Sequence, residues 1–208
     1  MKTGAVIVAA GMSSRMKAFK PMLKLQNSTI IKTVISTLRA AGVDEIAVVT
    51  GNNAELLSEH LSATGVTCLF NSRYETTEMF DSAKIGLDYL KGRCGRVFFL
   101  PGDVPLFSRH SLKSMAEEMD RSGCEILMPM HDGKPGHPIL IDSGAISFLI
   151  NDMGSGGLKG AIDRFPGLKK TLQLDDIGMT LDADRPEDYE RLKDYAGRLR
   201  DDTDEAHV

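Results

Sequence analysis

The sequence predicts an α/β fold, in which a mostly parallel sheet is covered by helices on both faces. Short apolar, β-branched runs alternate with segments of helical spacing between residues 5 and 129. The connections between them are short, as in sheets whose parallel strands are joined by helices. A glycine turn follows the first apolar run, and in such folds ligands bind beyond the carboxyl ends of the strands. The turn therefore lies at the edge where a ligand is expected.

The predicted elements follow in regular order along this part of the chain. Each strand is a run of apolar, largely β-branched residues. Strands are expected at residues 5–8, 46–50, 66–70, 97–100 and 126–129. Each helix has the apolar spacing of an amphipathic helix. Helices are expected at residues 30–41, 54–63, 82–90 and 108–121.

Beyond residue 129 the alternation is weaker. Strands are expected at residues 138–141 and 171–174, and a short helix at residues 161–165. The glycine-rich residues 151–160 have no periodicity, which indicates a loop.

The C-terminal segment predicts a helix and a tail. Pro186, followed by two acidic residues, begins a helix that is expected to end near Leu199. We expect a single domain over residues 1–200 and a disordered acidic tail over residues 201–208.

Composition narrows the class of protein. The chain has 208 residues, of which 42% are hydrophobic and 26% charged, a balance typical of a globular domain with a buried core. The formal net charge is −4 and the basic residues are not clustered, so we expect no nucleic-acid partner. No apolar run approaches about 20 residues, so we expect no membrane span. Cys68, Cys94 and Cys124 are scattered, which indicates a cytoplasmic location rather than disulfides or a zinc site.

The segment after the first strand has the residues of a phosphate site. Small side chains around Gly11 let a phosphate approach free backbone N–H groups, and Arg15, Lys17 and Lys20 follow it. Arginine can place two donors on phosphate oxygens, and lysine adds a point charge. The spacing matches neither a P-loop nor a dinucleotide fingerprint. The segment favours a nucleoside triphosphate, and the alternative is an ordinary strand–helix turn with exposed cations.

Asp103 is a candidate metal ligand. It follows the apolar run 97–100 through Pro101 and Gly102, which places it at the same edge of the sheet as Gly11. Mg²⁺ typically takes one or two carboxylates together with phosphate oxygens. The alternative for Asp103 is a cap of a helix or turn.

Asp182 and Asp184 are candidates for a second carboxylate. If this segment is a strand, both side chains face the same side, because residues two apart share a face. Asp184 can instead cap the helix that Pro186 begins, which makes Asp182 the better metal candidate.

Three further polar residues lie where a ligand is expected. Asn71, at the end of the third strand, either contacts a base or ribose or serves as a turn residue. Ser82 either contacts the nucleotide or caps the helix expected from that residue. His137 lies in a constrained turn between Gly136 and Pro138. An acceptor contact is favoured for His137 over a general base, because an ionised phosphate has little to deprotonate.

Four segments together resemble one family. They are the glycine turn with its cations (AAGMSSRM…KPML), PGDVPL, GHPIL and LDADRPEDY, in this order over nearly the whole chain. The chain resembles the molybdenum cofactor nucleotidyltransferases, in particular their cytidylyltransferase-like group. The first segment is shared with sugar-phosphate and methylerythritol-phosphate nucleotidyltransferases. The turn around His137 and the acidic ending are narrower and indicate the molybdopterin branch.

This resemblance implies a three-layer αβα, Rossmann-like fold of the nucleotide-diphospho-sugar transferase type. It implies transfer of a nucleoside monophosphate from a triphosphate to a phosphate-bearing acceptor, with Mg²⁺ as cofactor and pyrophosphate released. The implied acceptor is molybdopterin, and a molybdoenzyme or its accessory protein is an expected partner. Ala10 favours CTP over GTP, because a glycine there would leave more room beside a purine.

The resemblance also implies roles for individual residues. The implied nucleotide-binding residues are Ala9, Ala10, Gly11, Met12, Ser13, Ser14, Arg15, Lys20, Asn71, Ser82, Gly102 and Asp103. The implied acceptor-binding residues are Gly136, His137, Pro138 and Lys159. Catalytic roles are implied for Arg15, Lys20 and Asp103, and metal binding for Asp103, Asp182 and Asp184.

Two departures from the family pattern bear on the substrates. Lys17 stands where the family usually has glycine. Residues 151–160 differ in spacing from the usual Gly-Asp-x-Gly-Ala-Arg segment but keep a basic residue, Lys159. Two alternatives therefore remain open. One is transfer to a sugar phosphate or another phosphorylated alcohol, and the other is a non-catalytic chaperone of a molybdoenzyme that binds nucleotide or cofactor.

Overall fold

The computed structural model describes residues 1–12, 16 and 18–205. The strands of this part are β1 (Thr3–Ala9), β2 (Lys24–Leu25), β3 (Ser28–Thr29), β4 (Glu45–Thr50), β5 (Thr67–Phe70), β6 (Arg96–Pro101), β7 (Ile126–His131), β8 (Lys134–Pro135), β9 (Ile139–Asp142) and β10 (Lys169–Gln173). The α-helices are α1 (Ile30–Ala40), α2 (Ala54–Leu61), α3 (Met79–Leu90), α4 (Arg109–Ser122), α5 (Ser143–Asn151), α6 (Gly157–Arg164) and α7 (Pro186–Glu205). Short 3-10 helices lie at Lys20–Met22 and Ile177–Thr180.

The central sheet is mostly parallel. Its strand order is β10-β7-β9-β6-β1-β4-β5, with β8 paired to β7. β1 is parallel to both β4 and β6, and β4 is parallel to β5. β10 is parallel to β7, whereas β9 is antiparallel to β6 and β7. The predicted α/β class with a mostly parallel sheet is confirmed.

Burial on both faces explains why β1 is continuously apolar. Ala5 and Ile7 face one core, which also contains residues of α1, α2 and α4. Val6 and Val8 face the other core, with residues of α3, α5 and α6. Alternate residues of a strand point to opposite faces, so a strand covered on both sides has no polar positions. The helices therefore form two layers around the sheet, as expected.

Helix α5 has no counterpart among the predicted elements. It runs through a mostly apolar segment, with Ala145, Ile146 and Leu149 buried in the second core. A segment that is apolar on several faces shows no amphipathic period, which is why the sequence pattern does not indicate it. The Asp142 carboxylate caps its start by accepting a hydrogen bond from the Gly144 N–H at 2.8 Å.

The predicted start of the next helix is wrong. Helix α6 spans Gly157–Arg164, so it begins within residues 151–160, which were expected to form a loop, and before the predicted helix at residues 161–165. Gly156 and Gly157 have φ angles of 91° and 58°, values that suit glycine. The glycines that indicated a loop are therefore the residues that allow the turn into this helix.

The terminal helix is longer than predicted. Helix α7 continues to Glu205, beyond the expected end near Leu199, because no glycine or proline follows Gly197 to end it. Residues 201–205 are part of this helix in the structure, and the disordered acidic tail stays a prediction. Residues 206–208 lie outside the described part of the chain.

The helices and cysteines bear on two further expectations. None of the helices that the structure describes is both long enough and apolar enough to cross a membrane.

Cys68, Cys94 and Cys124 are unpaired. Cys94 and Cys124 are buried, and burial raises the pKa of the Cys94 thiol, so this residue behaves as a small apolar side chain.

Replacement of Gly86 by alanine is expected to destabilise the protein. Gly86 lies in α3 against the sheet, and a Cβ there would lie 2.9 Å from Val6 Cγ2 and 3.1 Å from Val49 Cγ2. Both valines are fully buried, so they have little room to shift. Despite the better helix propensity of alanine, we expect Gly86→Ala to lower the free energy of unfolding by about 1–3 kcal/mol, measured by chemical denaturation.

Gly197→Ala is the matched control. Gly197 also lies within a helix, α7, but a Cβ there meets no atom within 4 Å in the part of the chain that the structure describes. This substitution should be neutral or should raise the free energy of unfolding by up to about 1 kcal/mol. Equal losses of stability in the two variants would contradict the packing argument for Gly86.

Candidate active site

The carboxyl ends of β1 and β6 open into a cavity. It has a volume of about 200 Å³ and lies where the two parallel strands end side by side. The predicted nucleotide-binding residues that line it are Ala9, Ala10, Gly11, Lys20, Ser82, Gly102 and Asp103. The edge of the sheet at which a ligand was expected is therefore the edge at which this cavity lies.

The backbone at Gly102 holds the two loops of this cavity together. The Gly102 N–H donates to the carbonyl oxygen of Val8 at 2.9 Å, so the chain leaving β6 stays beside β1. A Cβ at this position would lie 3.3 Å from that oxygen and 3.4 Å from the Ala9 Cβ, which is tighter than ordinary contact. Glycine therefore permits the close approach that places Asp103 beside the loop after Ala9.

Lys20, which lines the cavity, contacts two carboxylates. Its Nζ lies 3.0 Å from Asp103 Oδ2 and 2.7 Å from Asp184 Oδ1. The Lys20 and Asp103 side chains are 13% and 19% exposed, so this contact is largely shielded from solvent. Burial alone would lower the pKa of Lys20, but the hydrogen bonds and charges of Asp184 and Asp103 outweigh it, and the pKa is raised. Lys20 therefore stays protonated and positively charged beside the glycine turn.

A small separate core brings Asp184 to this position. It is formed by α7 and the β2–β3 hairpin, and it buries Ala183 together with Leu25. The Ala183 N–H donates to the carbonyl oxygen of Asp103 at 3.1 Å. This backbone bond holds the neighbouring Asp184 side chain against Lys20.

Asp182 has different surroundings from Asp184. Residues 182–184 lie outside the strands, so the alternative in which both carboxylates share a strand face does not apply, and the choice between them as metal ligand stays a prediction. Asp182 is exposed as a whole residue. Burial of part of its surface, together with the charges of Asp103 and Asp184, raises the pKa of its carboxyl group. Within the described ranges of the chain, no three His, Cys, Asp or Glu side chains form a group that could hold a metal ion. Asp103 and Asp184 are the predicted carboxylates that both contact the Lys20 ammonium.

Asn71 and Ser82 form a buried pair at the cavity wall. Asn71 is 4% exposed, and its Nδ2 donates to the hydroxyl oxygens of Ser82 and Thr77, each at 3.0 Å. Ser82 lies inside α3, whose N-cap is Glu78, so the alternative that Ser82 caps this helix is wrong. Ser82 and Thr77 line the cavity and Asn71 lies behind them.

A second, larger cavity adjoins the first. It has a volume of about 510 Å³ and has mostly apolar walls, which include Phe80, Phe99 and Ile162. Glu78 and Met79 line both cavities, so the two spaces are neighbours. Two adjoining spaces therefore lie at this edge of the sheet.

The predicted acceptor-binding residues lie around the second cavity. Those that line it are Gly136, His137 and Lys159. Pro138 is buried and follows a cis peptide bond from His137. The His137 N–H donates to the carbonyl oxygen of Met179 at 2.8 Å, and the Gly136 N–H donates to that of Pro129 at 2.9 Å. These bonds hold the turn in place at the cavity wall.

The His137 ring is neutral at neutral pH. Burial lowers its pKa to about 4, and the charge of Asp103 and a hydrogen bond to the Phe99 backbone offset this only in part. Its Nδ1 is buried and has no hydrogen-bond partner among the described residues. A buried polar atom without a partner costs free energy, so this nitrogen is a candidate for a ligand contact.

Part of the predicted phosphate segment is not placed. Ser13, Ser14, Arg15 and Lys17 lie outside the described residues, so their roles, including the catalytic role of Arg15, stay predictions. Met12, which precedes them, is 59% exposed and lines neither of the two cavities.

Four residues of the segment 74–79 line the first cavity and are absent from the predicted site. They are Tyr74, Thr77, Glu78 and Met79. The first three lie in the irregular segment between β5 and α3, where no periodicity shows which side chains face a ligand. The signal in the sequence was their position after a strand that ends at the ligand edge.

The sequence matches one family over most of its length. Residues 5–169 match the model of the MobA-like NTP transferase domain. The molybdenum cofactor cytidylyltransferase of Escherichia coli (strain K12) is 26% identical over 190 residues, which cover 91% of this chain and 94% of that protein. The bifunctional protein GlmU of Staphylococcus haemolyticus is 30% identical over 119 residues, or 56% of this chain. The chain spans only 26% of the length of that GlmU protein and 32% of the one from Clostridium perfringens.

The fold is shared with solved structures. Rv0371c from Mycobacterium tuberculosis H37Rv has a TM-score of 0.78 and 22% identity, over 93% of this chain and 99% of that chain. A second structure of Rv0371c, in complex with manganese, has a TM-score of 0.74 and 20% identity, over the same 93% and 99%. This likeness concerns the fold.

The match to the family and the geometry of the cavity agree. Residues 5–169 include β1, β6, Lys20 and Asp103, which build the first cavity, and His137, which lines the second. Asp184 lies beyond the matched range and reaches the site through the C-terminal segment. The chain belongs to the MobA-like NTP transferase family.

Proposed function

We propose that this protein is a nucleotidyltransferase that moves a nucleoside monophosphate, with CMP preferred, from its triphosphate to a phosphate-bearing acceptor of the molybdopterin type. Pyrophosphate is released, and Mg²⁺ is the cofactor. One observation carries the proposal: Lys20 and Asp103 line the first cavity, Lys20 also contacts Asp184, and a second cavity of larger volume adjoins the first. A place for phosphates and a place for a second substrate lie side by side. We place the reaction in the cytoplasm, where unpaired cysteines stay reduced.

The reaction depends on alignment rather than on a covalent intermediate. An oxygen of the acceptor phosphate attacks the α-phosphorus, and a new P–O bond forms. The bond from the α-phosphorus to the oxygen that bridges to the β-phosphate breaks, and its electron pair leaves with pyrophosphate. The attacking phosphate is already ionised, so no side chain has to remove a proton. The protein holds the two substrates in line and neutralises charge on the leaving group.

Lys20 supplies part of this neutralising charge. It is mostly shielded from solvent and its pKa is raised, so it keeps its proton at neutral pH. Among the described residues, no atom lies within 4 Å of a Cβ built at Gly11, which leaves room at this turn. A phosphate can therefore approach the turn at Gly11 while remaining within reach of the Lys20 ammonium.

Asp103 and Asp184 fit a Mg²⁺ ion. Carboxylate oxygens are hard donors, and Mg²⁺ typically binds one or two of them together with phosphate oxygens. In the structure the two carboxylates already share a cation, the Lys20 ammonium, which shows that they face a common point. When bound, the ion polarises phosphate oxygens as a Lewis acid. The manganese complex of Rv0371c supports a divalent ion on this fold.

The second cavity suits an acceptor that combines an apolar or planar body with a phosphate. Its apolar walls favour such a body, and Lys159 supplies a charge for a phosphate. The neutral His137 Nδ1 can accept a hydrogen bond from an N–H or O–H of the acceptor. The E. coli relative, named for the molybdenum cofactor, aligns over 91% of this chain, which supports a molybdopterin-type acceptor.

Ala10 supports the preference for CMP. It is 5% exposed and lines the first cavity, so its methyl group takes up room that a purine would use. The relative from E. coli is named a cytidylyltransferase, which agrees with this preference.

Pyrophosphate release is the test of the proposed reaction. We expect release with CTP, molybdopterin and Mg²⁺, and slower release with GTP, ATP or UTP. Asp103→Asn should lower the rate by about 100-fold or more, because it removes one of the two carboxylates that hold the cation. A coupled assay for pyrophosphate measures both results.

Asp142→Asn is the control for this assay. Asp142 caps α5 and lines neither cavity, so the variant should keep the wild-type rate. Release with another phosphorylated acceptor but not with molybdopterin would reject the proposed acceptor and keep the chemistry. No release with any pair of substrates would overturn the proposed reaction.

The two C-terminal carboxylates are expected to differ in metal dependence. Asp184→Asn should raise the Mg²⁺ concentration for half-maximal activity about tenfold, because Asp184 shares a cation with Asp103. Asp182→Asn should change it by no more than about threefold, since Asp182 is exposed. Titration of each variant with Mg²⁺ measures the difference, and a larger effect at Asp182 would contradict this assignment.

His137 is expected to make stability depend on pH. Its pKa is about 4 in the folded protein against an ordinary value of 6.5, so the unfolded state binds more protons between these values. The contribution of His137 to the free energy of unfolding is therefore fully present above pH 6.5. It is lost as the pH drops through this window, by about 3 kcal/mol in total. Chemical denaturation at pH 7 and pH 4 measures the free energy of unfolding at each pH. Between the two, His137→Asn should lose less of it than the wild type does, by that amount. The same loss in both proteins would show that His137 does not titrate in this way.

A further inference from the structure

Asn71 is a buried amide whose hydrogen-bonding groups are committed to its neighbours. It follows β5 at the ligand edge of the sheet and is 4% exposed. Its Oδ1 accepts the backbone N–H of Arg73 at 3.0 Å. A backbone N–H can only donate, so this bond identifies which end of the amide is the oxygen. The Nδ2 therefore faces Thr77 and Ser82, each 3.0 Å away.

The Thr77 hydroxyl confirms the direction of these bonds. Its proton goes to the carbonyl oxygen of Arg73 at 2.9 Å. The Thr77 oxygen can therefore act toward Asn71 only as an acceptor, which requires an amide N–H on the Asn71 side. The same amide nitrogen supplies its second N–H to Ser82.

The Ser82 hydroxyl is left with a proton to donate. Its oxygen accepts from Asn71, and among the described residues no group accepts the Ser82 proton. A serine inside a helix commonly donates to the carbonyl oxygen one turn earlier. Here the hydroxyl oxygen is held toward Asn71, and Ser82 lines the first cavity.

We propose that Asn71 is a positioning residue for nucleoside recognition, which fixes the Ser82 hydroxyl so that its proton points to an acceptor atom of the bound nucleoside. This inference rests on the proposed function for the identity of the ligand in the first cavity. The acceptor atom is a carbonyl oxygen or ring nitrogen of the base, or an oxygen of the ribose. Asn71 itself does not line the cavity, so it acts through Ser82.

A double-mutant cycle on nucleotide binding tests the proposal. The dissociation constants of CTP, GTP, ATP and UTP with Mg²⁺ are measured by calorimetry, without an acceptor, for the wild type, Asn71→Ala, Ser82→Ala and the double variant. We expect each single variant to weaken binding of CTP about fivefold to tenfold, as for loss of one hydrogen bond to the ligand. In the Ser82→Ala background, Asn71→Ala should add less than about twofold, because the two residues act as one unit.

Asn71→Asp provides a second variant that preserves the size of the side chain. The carboxylate can still accept the Arg73 N–H, but it has no proton to donate to Ser82. The Ser82 hydroxyl would turn and give its proton to the carboxylate. We expect Asn71→Asp to weaken CTP binding as much as Ser82→Ala does, even if Asn71→Ala folds poorly.

Thr50→Val is the matched control for loss of a buried polar group. Thr50 is 1% exposed, its hydroxyl donates to the carbonyl oxygen of Leu69 at 3.3 Å, and its own carbonyl accepts the Asn71 N–H. The variant should lower the thermal midpoint while leaving the dissociation constant of CTP within about twofold of wild type. A purely structural role of Asn71 predicts the same result for Asn71→Asp.

The outcomes separate this inference from the proposed function. If the wild type binds CTP and the effects of Asn71→Ala and Ser82→Ala multiply, the inference is overturned and the proposed function stands. If the wild type binds no nucleoside triphosphate, both are overturned. Equal weakening for all four nucleotides supports a ribose oxygen as the acceptor atom, and loss of discrimination among them supports the base.

Discussion

The parallel placement of β1 between β4 and β6 is the constraint on which the site depends. The register pairs Val8 with Pro101 and Ala9 with Thr50, so three strands end at the same level of the sheet. Because β1 is buried on both faces, it cannot shift without exposing apolar side chains or breaking two ladders of hydrogen bonds. The loops that follow these strands are therefore held side by side. The first cavity lies between them.

The contact of Lys20 with Asp103 and Asp184 joins three distant parts of the chain. A lysine has three N–H donors, so it can hold both carboxylates and still present a proton to a phosphate. The three side chains are only partly exposed, and removal of one partner would leave a poorly solvated charge without full compensation. The C-terminal helix is thus part of the site, since its packing on the β2–β3 hairpin fixes the residue before Asp184.

Local patterns predicted the residues that follow buried strands. Gly11, Gly102 and Asp103 come directly after continuous apolar runs, and their place at the ligand edge follows from the parallel topology. Patterns were less useful where the chain is irregular or apolar throughout. The spacing of Asp182 and Asp184 left a shared strand face and a cap of α7 both open. The structure places both residues outside the strands, where the buried Ala183 lies between them. Helix α5 is short and mostly apolar, so its period is weak in the sequence.

The sequence by itself determined the fold class, the glycine turn after β1 and the presence of a carboxylate at the tip of β6, and it predicts phosphate binding at that turn. These follow from local order, because apolar runs, glycines and the residues next to them specify strands and their ends. Only the tertiary structure decided that Asp184 meets Lys20, that Ser82 lies within a helix with Asn71 behind it, and that the His137 Nδ1 is buried without a partner. These facts depend on contacts between residues far apart in the chain. Burial and hydrogen-bond partners arise from packing, which residue spacing does not record.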